Sequence, residues 1–416
     1  MMAAPARSLG RNSDFQKLWS GFTIAVVGSQ VTILALPLTA VLVLGAGATE
    51  TGLLVAFRMA PSLVVGLFIG AWVDRLPRRP ILVASDIGSS LVIGSIPLAA
   101  AIGVLSLTQL YIVAFLAGVF AVSTELARSA LVPSLVGRTA LVAANSRLQA
   151  SSAVAQVAGP SLGGVLVQAL TAPTAMLFDA ATFLVSAAFL IRIRAQETIR
   201  PREPGKSIWH EITEGARWMR DHEIVFRCVI AIALANIEWF AVQAIIVVYA
   251  TRELGLPPLL LGLSLAAIGP LSLLGAALAG PLTRRWGLGP VMVAALLGET
   301  LSRLVLPFAA GPPLQAAAVV AASQAILGVT VPLWTVSAIS LQQAVTPERL
   351  LGRVTAATRF ISFGVAPPSA FAAGVLADHI GMRTTLFIAG LIVALAFLYL
   401  LVSPVRRFRD PRPHAE

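Results

Sequence analysis

The sequence predicts an all-α membrane protein with twelve transmembrane helices, and its composition is the first observation behind this prediction. Of the 416 residues, 57% are hydrophobic and 12% are charged, which leaves too little polar surface for a water-soluble globule of this size. The second observation is that apolar runs of about 20 residues recur along the chain, each long enough to cross the hydrocarbon core as a helix. A transmembrane β-barrel would instead show alternating segments of about ten residues, which are absent from the sequence.

The third observation is an internal repeat with an offset of 210 residues. The segment 70–80, GAWVDRLPRRP, aligns with 280–290, GPLTRRWGLGP, and GGVL at 163–166 aligns with AGVL at 373–376. Two matches at one offset indicate a duplicated half of six helices. The repeat divides the chain into an N-terminal half over 1–194, a cytoplasmic linker over 195–222 and a C-terminal half over 223–416.

Apolar runs bounded by glycine and proline predict the twelve spans. They are 17–44, 51–73, 80–104, 107–130, 139–170, 173–194, 223–250, 256–283, 289–310, 314–345, 349–377 and 381–403. At the ends of these spans almost all basic residues fall on the side of the N-terminus, and the opposite side holds only Arg252 and Arg383. The positive-inside rule therefore predicts that both termini lie in the cytoplasm. We expect the protein in the inner membrane of a bacterium. The first span is expected to be an uncleaved anchor.

The composition and the missing motifs also limit the classes of function that the chain can have. The formal net charge of +11 is spread over many loops, so it indicates membrane topology and attraction to anionic lipid rather than a nucleic-acid surface. The single Cys228 and four scattered histidines offer neither a disulfide nor a metal cluster. The sequence has no ATP-binding motif and no catalytic constellation, so we expect a non-enzymatic monomer without cofactor or metal, driven by a gradient.

The predicted linker continues from Ser207 as an amphipathic helix. Its apolar positions, Ile208, Ile212, Ala216 and Met219, recur at helical spacing and so share one face. We expect a surface helix that lies along the membrane or along the two halves.

Two six-helix halves joined by a long cytoplasmic linker resemble the layout of the major facilitator superfamily. The signature loop of that superfamily, between its second and third helices, is similar to the pattern formed here by Gly70, Asp74, Arg75, Arg78 and Arg79. The chain departs from the pattern with proline at 77, where glycine is usual. The resemblance implies that the loop forms an inner gate with a charge relay.

The physical chemistry of this loop is compatible with a gate. A carboxylate at Asp74 could bind the positive N-terminus of a facing helix and also Arg128, at the inner end of the fourth span. Asp86, early in the third span, could pair with Arg75 or Arg78. The alternative is that these residues are ordinary positive-inside loop charges.

The fifth span contains GPSLGG at 159–164, which resembles the core of the antiporter motif of proton-coupled drug exporters. Pro160 removes a backbone hydrogen bond, and Gly159, Gly163 and Gly164 allow a neighbouring helix to approach closely. The segments RSALVPSLVGRTALVAANSRLQ and GRVTAATRF resemble the branch that contains the enterobactin exporter and macrolide efflux proteins. The resemblance implies drug–proton antiport. Simple small-residue packing would need the same residues and stays open as an alternative.

Ionisable side chains inside the spans are costly to bury and are therefore functional candidates. Glu238, in the middle of the seventh span, is the first candidate for carrying a proton, and Asp179 in the sixth span is the second. On a helix Glu238 points about 200° away from Asn236, so both cannot face one cavity. A structural ion pair is the alternative for Glu238. Glu299 and Arg303, four residues apart in the ninth span, predict a structural ion pair.

Polar and aromatic side chains within the spans are candidates for a substrate cavity. They are Gln30, Arg58, Arg147, Gln156, Asn236, Gln243, Gln324, Trp334 and Arg359. Arg58 could pair with Asp179, while Arg147 and Arg359, at similar depth in the two halves, could meet an anionic substrate or complete the gate. A mostly apolar cavity with few polar groups fits an amphipathic ligand.

Together these patterns predict a secondary transporter that exports an amphipathic small molecule, such as a drug, macrolide or siderophore, in exchange for protons. Its mechanism would be alternating access, in which the two halves rock about a midplane site. A metabolite importer or uniporter of the same fold is one alternative. A scaffold or receptor that has lost transport is another, although the chain keeps the intramembrane charges that such a protein would typically lose.

Overall fold

The computed structural model describes residues 9, 12–64, 76–137, 140–194 and 208–409, and regular structure in these residues is entirely helical. The helices before the linker are α1 (Ser13–Leu42), α2 (Ala48–Val64), α3 (Arg78–Ala101), α4 (Leu107–Val136), α5 (Leu141–Ala169) and α6 (Ala172–Ile191). Those that follow are α7 (Ile208–Asp221), α8 (Glu223–Val248), α9 (Pro258–Ala266), α10 (Ile268–Trp286), α11 (Leu288–Val305), α12 (Pro313–Val345), α13 (Glu348–Gly364), α14 (Ala366–Ile380) and α15 (Met382–Leu401). A π-helical turn, Tyr249–Glu253, extends α8.

Eleven predicted spans coincide with helical segments that are long and apolar enough to cross a membrane. The span predicted over 51–73 begins as α2 and continues into residues outside the described part of the chain. Three helices start at or directly after a predicted proline boundary, namely α3 after Pro77, α9 at Pro258 and α12 at Pro313. The prediction of an all-α polytopic membrane protein is therefore confirmed.

Two predicted spans are each divided into two helices. The eighth span breaks between α9 and α10, because Pro270 has no N–H for the carbonyl of Ala266, four residues before it. The eleventh span breaks between α13 and α14, where Pro367 and Pro368 deprive Phe363 and the next residue of their donors in the same way. Each half-span can therefore pack against its own neighbours.

Contacts within the chain divide it into two compact units. The first unit comprises Met1–Gly45 and Phe57–Pro204, and the second comprises Ala46–Ala56 and Gly205–Glu416. The first turns of α2 therefore belong with the second unit. The internal repeat did not predict this division inside a helix.

In the first unit α1 packs along α5 and α6, and α3 packs along α4 and α6. The end that carries the N-terminus has an apolar core of Phe15, Leu18, Leu82, Leu131 and Leu148, from four helices. This core fixes the level at which the inner ends of α1, α4 and α5 meet.

In the second unit α8 packs against α14 and α15, while α12 packs against α10 and α11. The core between them includes Met292, Leu296, Leu341, Val393 and Trp334. Trp334, a predicted cavity residue, is only 6% exposed. Its position favours a packing role over contact with a substrate.

Two tight turns of the second unit depend on glycine. Gly287 ends α10 with φ +95° and Gly381 ends α14 with φ +89°. In both places the next helix starts one residue later. This left-handed backbone conformation is accessible to glycine and strained for other residues, so these glycines allow two spans to follow one another with no further loop.

The linker helix α7 docks on α13, the first half of the eleventh span. A Cβ at Gly215 would lie 2.4 Å from the carbonyl oxygen of Arg353, so glycine permits the close approach. The guanidinium of Arg353 forms an ion pair with Glu214. The sulfur of the buried Met219 accepts a hydrogen bond from the Thr358 hydroxyl at 3.4 Å. The linker helix was expected to lie along the membrane or along the two halves. In the structure it packs against a helix of the C-terminal half.

The start of α2 is capped by a distant carboxylate. Asp378 of α14 accepts hydrogen bonds from the backbone N–H groups of Ala48 (3.1 Å) and Thr49 (2.8 Å). A Cβ at Gly374, one turn before Asp378, would lie 2.5 Å from the carbonyl oxygen of Ala48, so the two helices are in close contact. Asp378 satisfies donors that have no partner within α2.

Replacing Asp378 with alanine is expected to destabilise the protein by about 1–2 kcal/mol, the usual effect of losing a helix N-cap. Thermal unfolding of the purified protein should show a lower transition temperature. Asp221→Ala, which removes an exposed carboxylate at the end of α7, serves as the matched control and should leave the transition unchanged. Equal transitions for the two variants would contradict the capping role.

Candidate transport site

The predicted signature loop lies only partly within the described residues. Gly70, Asp74 and Arg75 are outside them, so the gate assigned to these residues stays a prediction. Arg78 is the first residue of α3. The pairing proposed between Asp74 and Arg128 is likewise outside what the structure describes.

Arg79 joins α3 to the end of α6. Its Nε donates to the carbonyl of Leu190 at 3.0 Å, and a terminal nitrogen donates to the carbonyl of Ile191. The last carbonyls of a helix have no intrahelical donor and carry partial negative charge, so a guanidinium is well placed there. The structure thus gives this predicted gate residue a contact within the first unit.

Asp86 is buried inside the first unit. It is 2% exposed, lies beside Ser186 of α6, and one of its carboxylate oxygens has no hydrogen-bond partner among the described residues. A carboxylate so placed in a membrane span is a strong candidate for a functional group. Its predicted partner Arg75 lies outside the described residues.

The GPSLGG motif lies where α5 crosses α1. A Cβ at Gly159 would be 2.1 Å from Cβ of Gln30, and a Cβ at Gly163 would be 3.4 Å from Leu34. The α-helix continues through Pro160 from Leu141 to Ala169. The packing alternative therefore has direct structural support, and the antiporter role stays a prediction.

Asp179, the second proton candidate, is fully buried in α6. Its Oδ1 lies 3.4 Å from the hydroxyl of Thr182, and a Cβ at Gly28 of α1 would be 2.7 Å from the same oxygen. The predicted partner Arg58 is close enough to Asp179 for the two charges to interact, although no nitrogen–oxygen distance of 4 Å or less joins these two described residues.

The first proton candidate lies in a buried charged cluster of the second unit. Glu238 of α8 is 0% exposed, and its Oε1 lies 2.6 Å from Nε of Arg303 in α11. Glu299 precedes Arg303 by about one turn of α11 and is also buried. The guanidinium of Arg303 makes its contact within 4 Å with Glu238 of another helix, and it interacts with the predicted partner Glu299 at longer range. The contact between Glu238 and Arg303 has the geometry of an ion pair, as expected if Glu238 has a structural role.

The cluster is unbalanced in charge. Two carboxylates, Glu238 and Glu299, face one guanidinium, which also lies 5.6 Å from the ring centroid of Trp239. Among the described residues, both oxygens of Glu238 and Oε2 of Glu299 lack a hydrogen bond of normal geometry. Charges interact strongly in a low-dielectric interior, so a proton shared by the two carboxyl groups would remove the unpaired charge. Proton exchange at this cluster stays a prediction.

Asn236 and Glu238 point in different directions, as helical geometry predicts. The side-chain amide of Asn236 donates to the carbonyl of Ser362 at 2.8 Å, near the break in the eleventh span. The nearby Phe240 contacts the ring of Phe363, with centroids 6.4 Å apart. Asn236 therefore connects α8 to the end of α13 rather than joining the charged cluster.

The other predicted cavity residues differ in exposure and are divided between the two units. The exposed ones are Gln156, Gln243 and Arg359, and the half-buried ones are Gln30, Arg58, Arg147 and Gln324. Their contact with a substrate stays a prediction.

Two aromatic residues that the sequence analysis did not single out contact predicted site residues. The guanidinium of Arg128 lies 4.1 Å from the ring centroid of Phe22, and that of Arg147 lies 5.9 Å from Trp19. The spacing of three residues between the rings on the first span could have pointed to them.

A polytopic helical fold with ionisable side chains buried inside its spans defines the class of helical membrane transporters. The sequence profile of the Major Facilitator Superfamily matches residues 18–367 and 228–416, and the chain belongs to this superfamily. The resemblance to this superfamily is thereby confirmed. The protein is a multi-pass membrane transporter.

Relatives extend over nearly the whole chain. The multidrug efflux pump Tap of Mycolicibacterium fortuitum is 26% identical over 374 residues, which cover 87% of this chain and 88% of Tap. A bacterial homologue of the iron transporter ferroportin, solved in an inward-facing state, has a TM-score of 0.75 at 18% identity and covers 95% of this chain and 99% of its own. The nucleoside transporter NupG has a TM-score of 0.72 at 11% identity, with 94% and 99% coverage. These two structures share the fold.

Proposed function

We propose that this transporter exports an amphipathic small molecule from the bacterial cytoplasm in exchange for protons, by alternating access. The efflux activity named for Tap, a relative along nearly the whole chain, supports export of a drug-like substrate. The strong bias of basic residues toward one side of the membrane supports termini in the cytoplasm.

The observation that carries proton coupling is the buried cluster of Glu238, Glu299 and Arg303. With Glu238 ionised and Glu299 protonated, the cluster is neutral and the ion pair is intact. Protonation of Glu238 as well would free the guanidinium, and the ion pair between α8 and α11 would be weakened. A proton taken up on one side and released on the other would thereby alternate the contact between these two helices.

The signature loop and the GPSLGG motif have a different role from the charged cluster, which is to close the protein against leakage. By resemblance to the superfamily, Gly70, Asp74 and Arg75 close the cytoplasmic side, and GPSLGG in α5 restricts leakage along α1. Alternating access then needs energy only from the proton gradient, since the sequence has no ATP-binding motif.

Glu238→Gln is expected to abolish uncoupler-sensitive efflux, because glutamine keeps the size of the side chain and cannot carry a proton. Fluorescent-drug efflux would be measured in cells that express equal amounts of each variant, with and without an uncoupler. Glu223→Gln, an exposed carboxylate of the same helix that pairs with Arg227 at 2.8 Å, is the matched control and should export as the wild type does.

Three outcomes would contradict the proposal. Normal efflux by Glu238→Gln would remove this carboxylate from proton coupling. Efflux by the wild type that survives the uncoupler would remove protons as the driving ion. Net uptake of the same compounds would favour the importer.

A further inference from the structure

Two arginines of the first unit converge on one face of α1. Arg128 of α4 lies over the ring of Phe22 at 4.1 Å, and Arg147 of α5 lies over the ring of Trp19 at 5.9 Å. Residues three apart on a helix are neighbours on its surface. The two guanidiniums, from two different helices, therefore lie about one helical turn apart along α1.

All four residues lie at a similar distance from the ends of their helices. At 1.5 Å per residue, each is about 9–14 Å from the nearest end of its helix, where α1 and α5 begin and α4 ends. These three helices are long and apolar enough to cross a membrane. A charged side chain on such a helix is costly to bury unless it meets an anion or water.

Neither guanidinium meets a carboxylate in the part of the chain that the structure describes. The ion pairs there involve Lys17 and other arginines, and none includes Arg128 or Arg147. Glu125, one turn before Arg128, is exposed and close enough for its charge to act on the guanidinium, but it forms no ion pair within 4 Å. Both arginines are half-buried, so an external group can reach them.

The ring of Trp19 is held in place by a hydrogen bond. The indole Nε1–H of Trp19 donates to the hydroxyl of Ser151 at 3.0 Å, and that hydroxyl also bonds to Thr23 at 2.8 Å. Ser151 follows Arg147 by one turn of α5, so the same helix orients the ring and supplies the charge. A guanidinium stacked on a ring keeps its N–H edges free to bind an oxyanion.

We propose that Arg128 and Arg147, over Trp19 and Phe22, bind the anionic head of an amphipathic substrate. The head is an oxyanion, such as a carboxylate, sulfonate or phosphate, and the rings contact the adjoining apolar body. The inference rests on the proposed function and narrows its substrate class from amphipathic molecules in general to amphipathic anions.

The test compares two probes that differ only in charge, 11-(dansylamino)undecanoic acid and its primary amide. Their equilibrium binding to the purified full-length protein, in phosphatidylcholine nanodiscs without a gradient, is followed by dansyl fluorescence. The wild type should bind the acid more tightly than the amide. Arg128→Gln and Arg147→Gln should each weaken binding of the acid by about tenfold, the effect of one lost charge-assisted hydrogen bond, and leave binding of the amide unchanged.

Arg227→Gln is the matched control, because Arg227 also lies over an aromatic ring, Tyr399 at 5.4 Å, but is paired with Glu223. It should bind both probes as the wild type does. Arg128→Lys and Arg147→Lys should each keep most of the preference for the acid over the amide. Equal affinity of the wild type for acid and amide would overturn the proposal without any variant, and so would a parallel loss of both probes in the glutamine variants.

A second arm identifies the source of the oxyanion. If phosphatidylglycerol in the nanodiscs competes with the acid in the wild type, the site binds a lipid headgroup and the substrate assignment is overturned. If phosphatidylglycerol has no effect, the substrate assignment is supported. The assay requires no transport, so failure of proton-coupled efflux and failure of this site are read separately.

Discussion

Arg303→Gln is expected to destabilise the second unit by about 3–5 kcal/mol, since it leaves Glu238 and Glu299 buried without a cation. Glutamine is polar but uncharged and shorter, so the change removes the charge together with part of the side chain. The folded yield of the purified protein and its thermal unfolding transition should both fall sharply. This is one of the two largest effects that the structure predicts.

A double variant separates the charge from the packing. Glu238→Gln combined with Arg303→Gln leaves a single buried carboxyl, which can be neutral when protonated, so part of the lost stability should return. The control is Arg227→Gln, whose partner Glu223 is largely exposed and whose loss should change stability by less than about 1 kcal/mol. If the double variant is no more stable than Arg303→Gln alone, the cluster is not held by charge balance.

Gly159→Val is expected to disrupt the crossing of α5 over α1, because a Cβ at 159 would lie 2.1 Å from Cβ of Gln30. Cβ of Gln30 is fixed by its backbone, so no rotamer change relieves this contact and the helices must move apart. Overpacking of this kind costs about 1–3 kcal/mol or more. Gly94→Ala is the control in the same unit, because the nearest atom to its Cβ would be that of Ala180 at 3.7 Å, an ordinary contact.

The same position distinguishes packing from a specific role of the GPSLGG motif in transport. Gly159→Ala combined with Gln30→Gly removes the clash from the opposite side. If the motif acts through packing alone, thermal stability and drug efflux should both recover in the double variant. Recovery of stability without efflux, when Gln30→Gly alone still exports, would support the antiporter role that the resemblance implies. Full stability of Gly159→Val would contradict the close contact itself.

The charged cluster illustrates what sequence reasoning could and could not predict. Helical periodicity alone separates Asn236 from Glu238, and the structure confirms that the two point to different neighbours. The spacing of Glu299 and Arg303 favoured a pair on one helix, yet the guanidinium lies against Glu238. A local spacing gives the distance between two groups on one helix, whereas the competing partner is 65 residues away in the chain and unknown before the helices pack.

Arg79 and the linker helix illustrate the same limit. The sequence predicted that Arg79 lies at the inner membrane interface and that the linker contains an amphipathic helix. The contact of Arg79 with the last carbonyls of α6, and of Gly215 with the backbone of Arg353, depends on which helix ends lie beside each other.

By itself the sequence determined the all-α membrane class, eleven of the spans in close to their observed bounds, the proline and glycine boundaries, and the superfamily. These properties depend on composition and on local periodicity, because a membrane span must satisfy its own backbone hydrogen bonds. Only the tertiary structure decided the partner of Glu238, the packing of Gly159 on Gln30, and the convergence of Arg128 and Arg147 on α1. Those contacts join helices that are distant in the chain, and no local pattern records which of their faces meet.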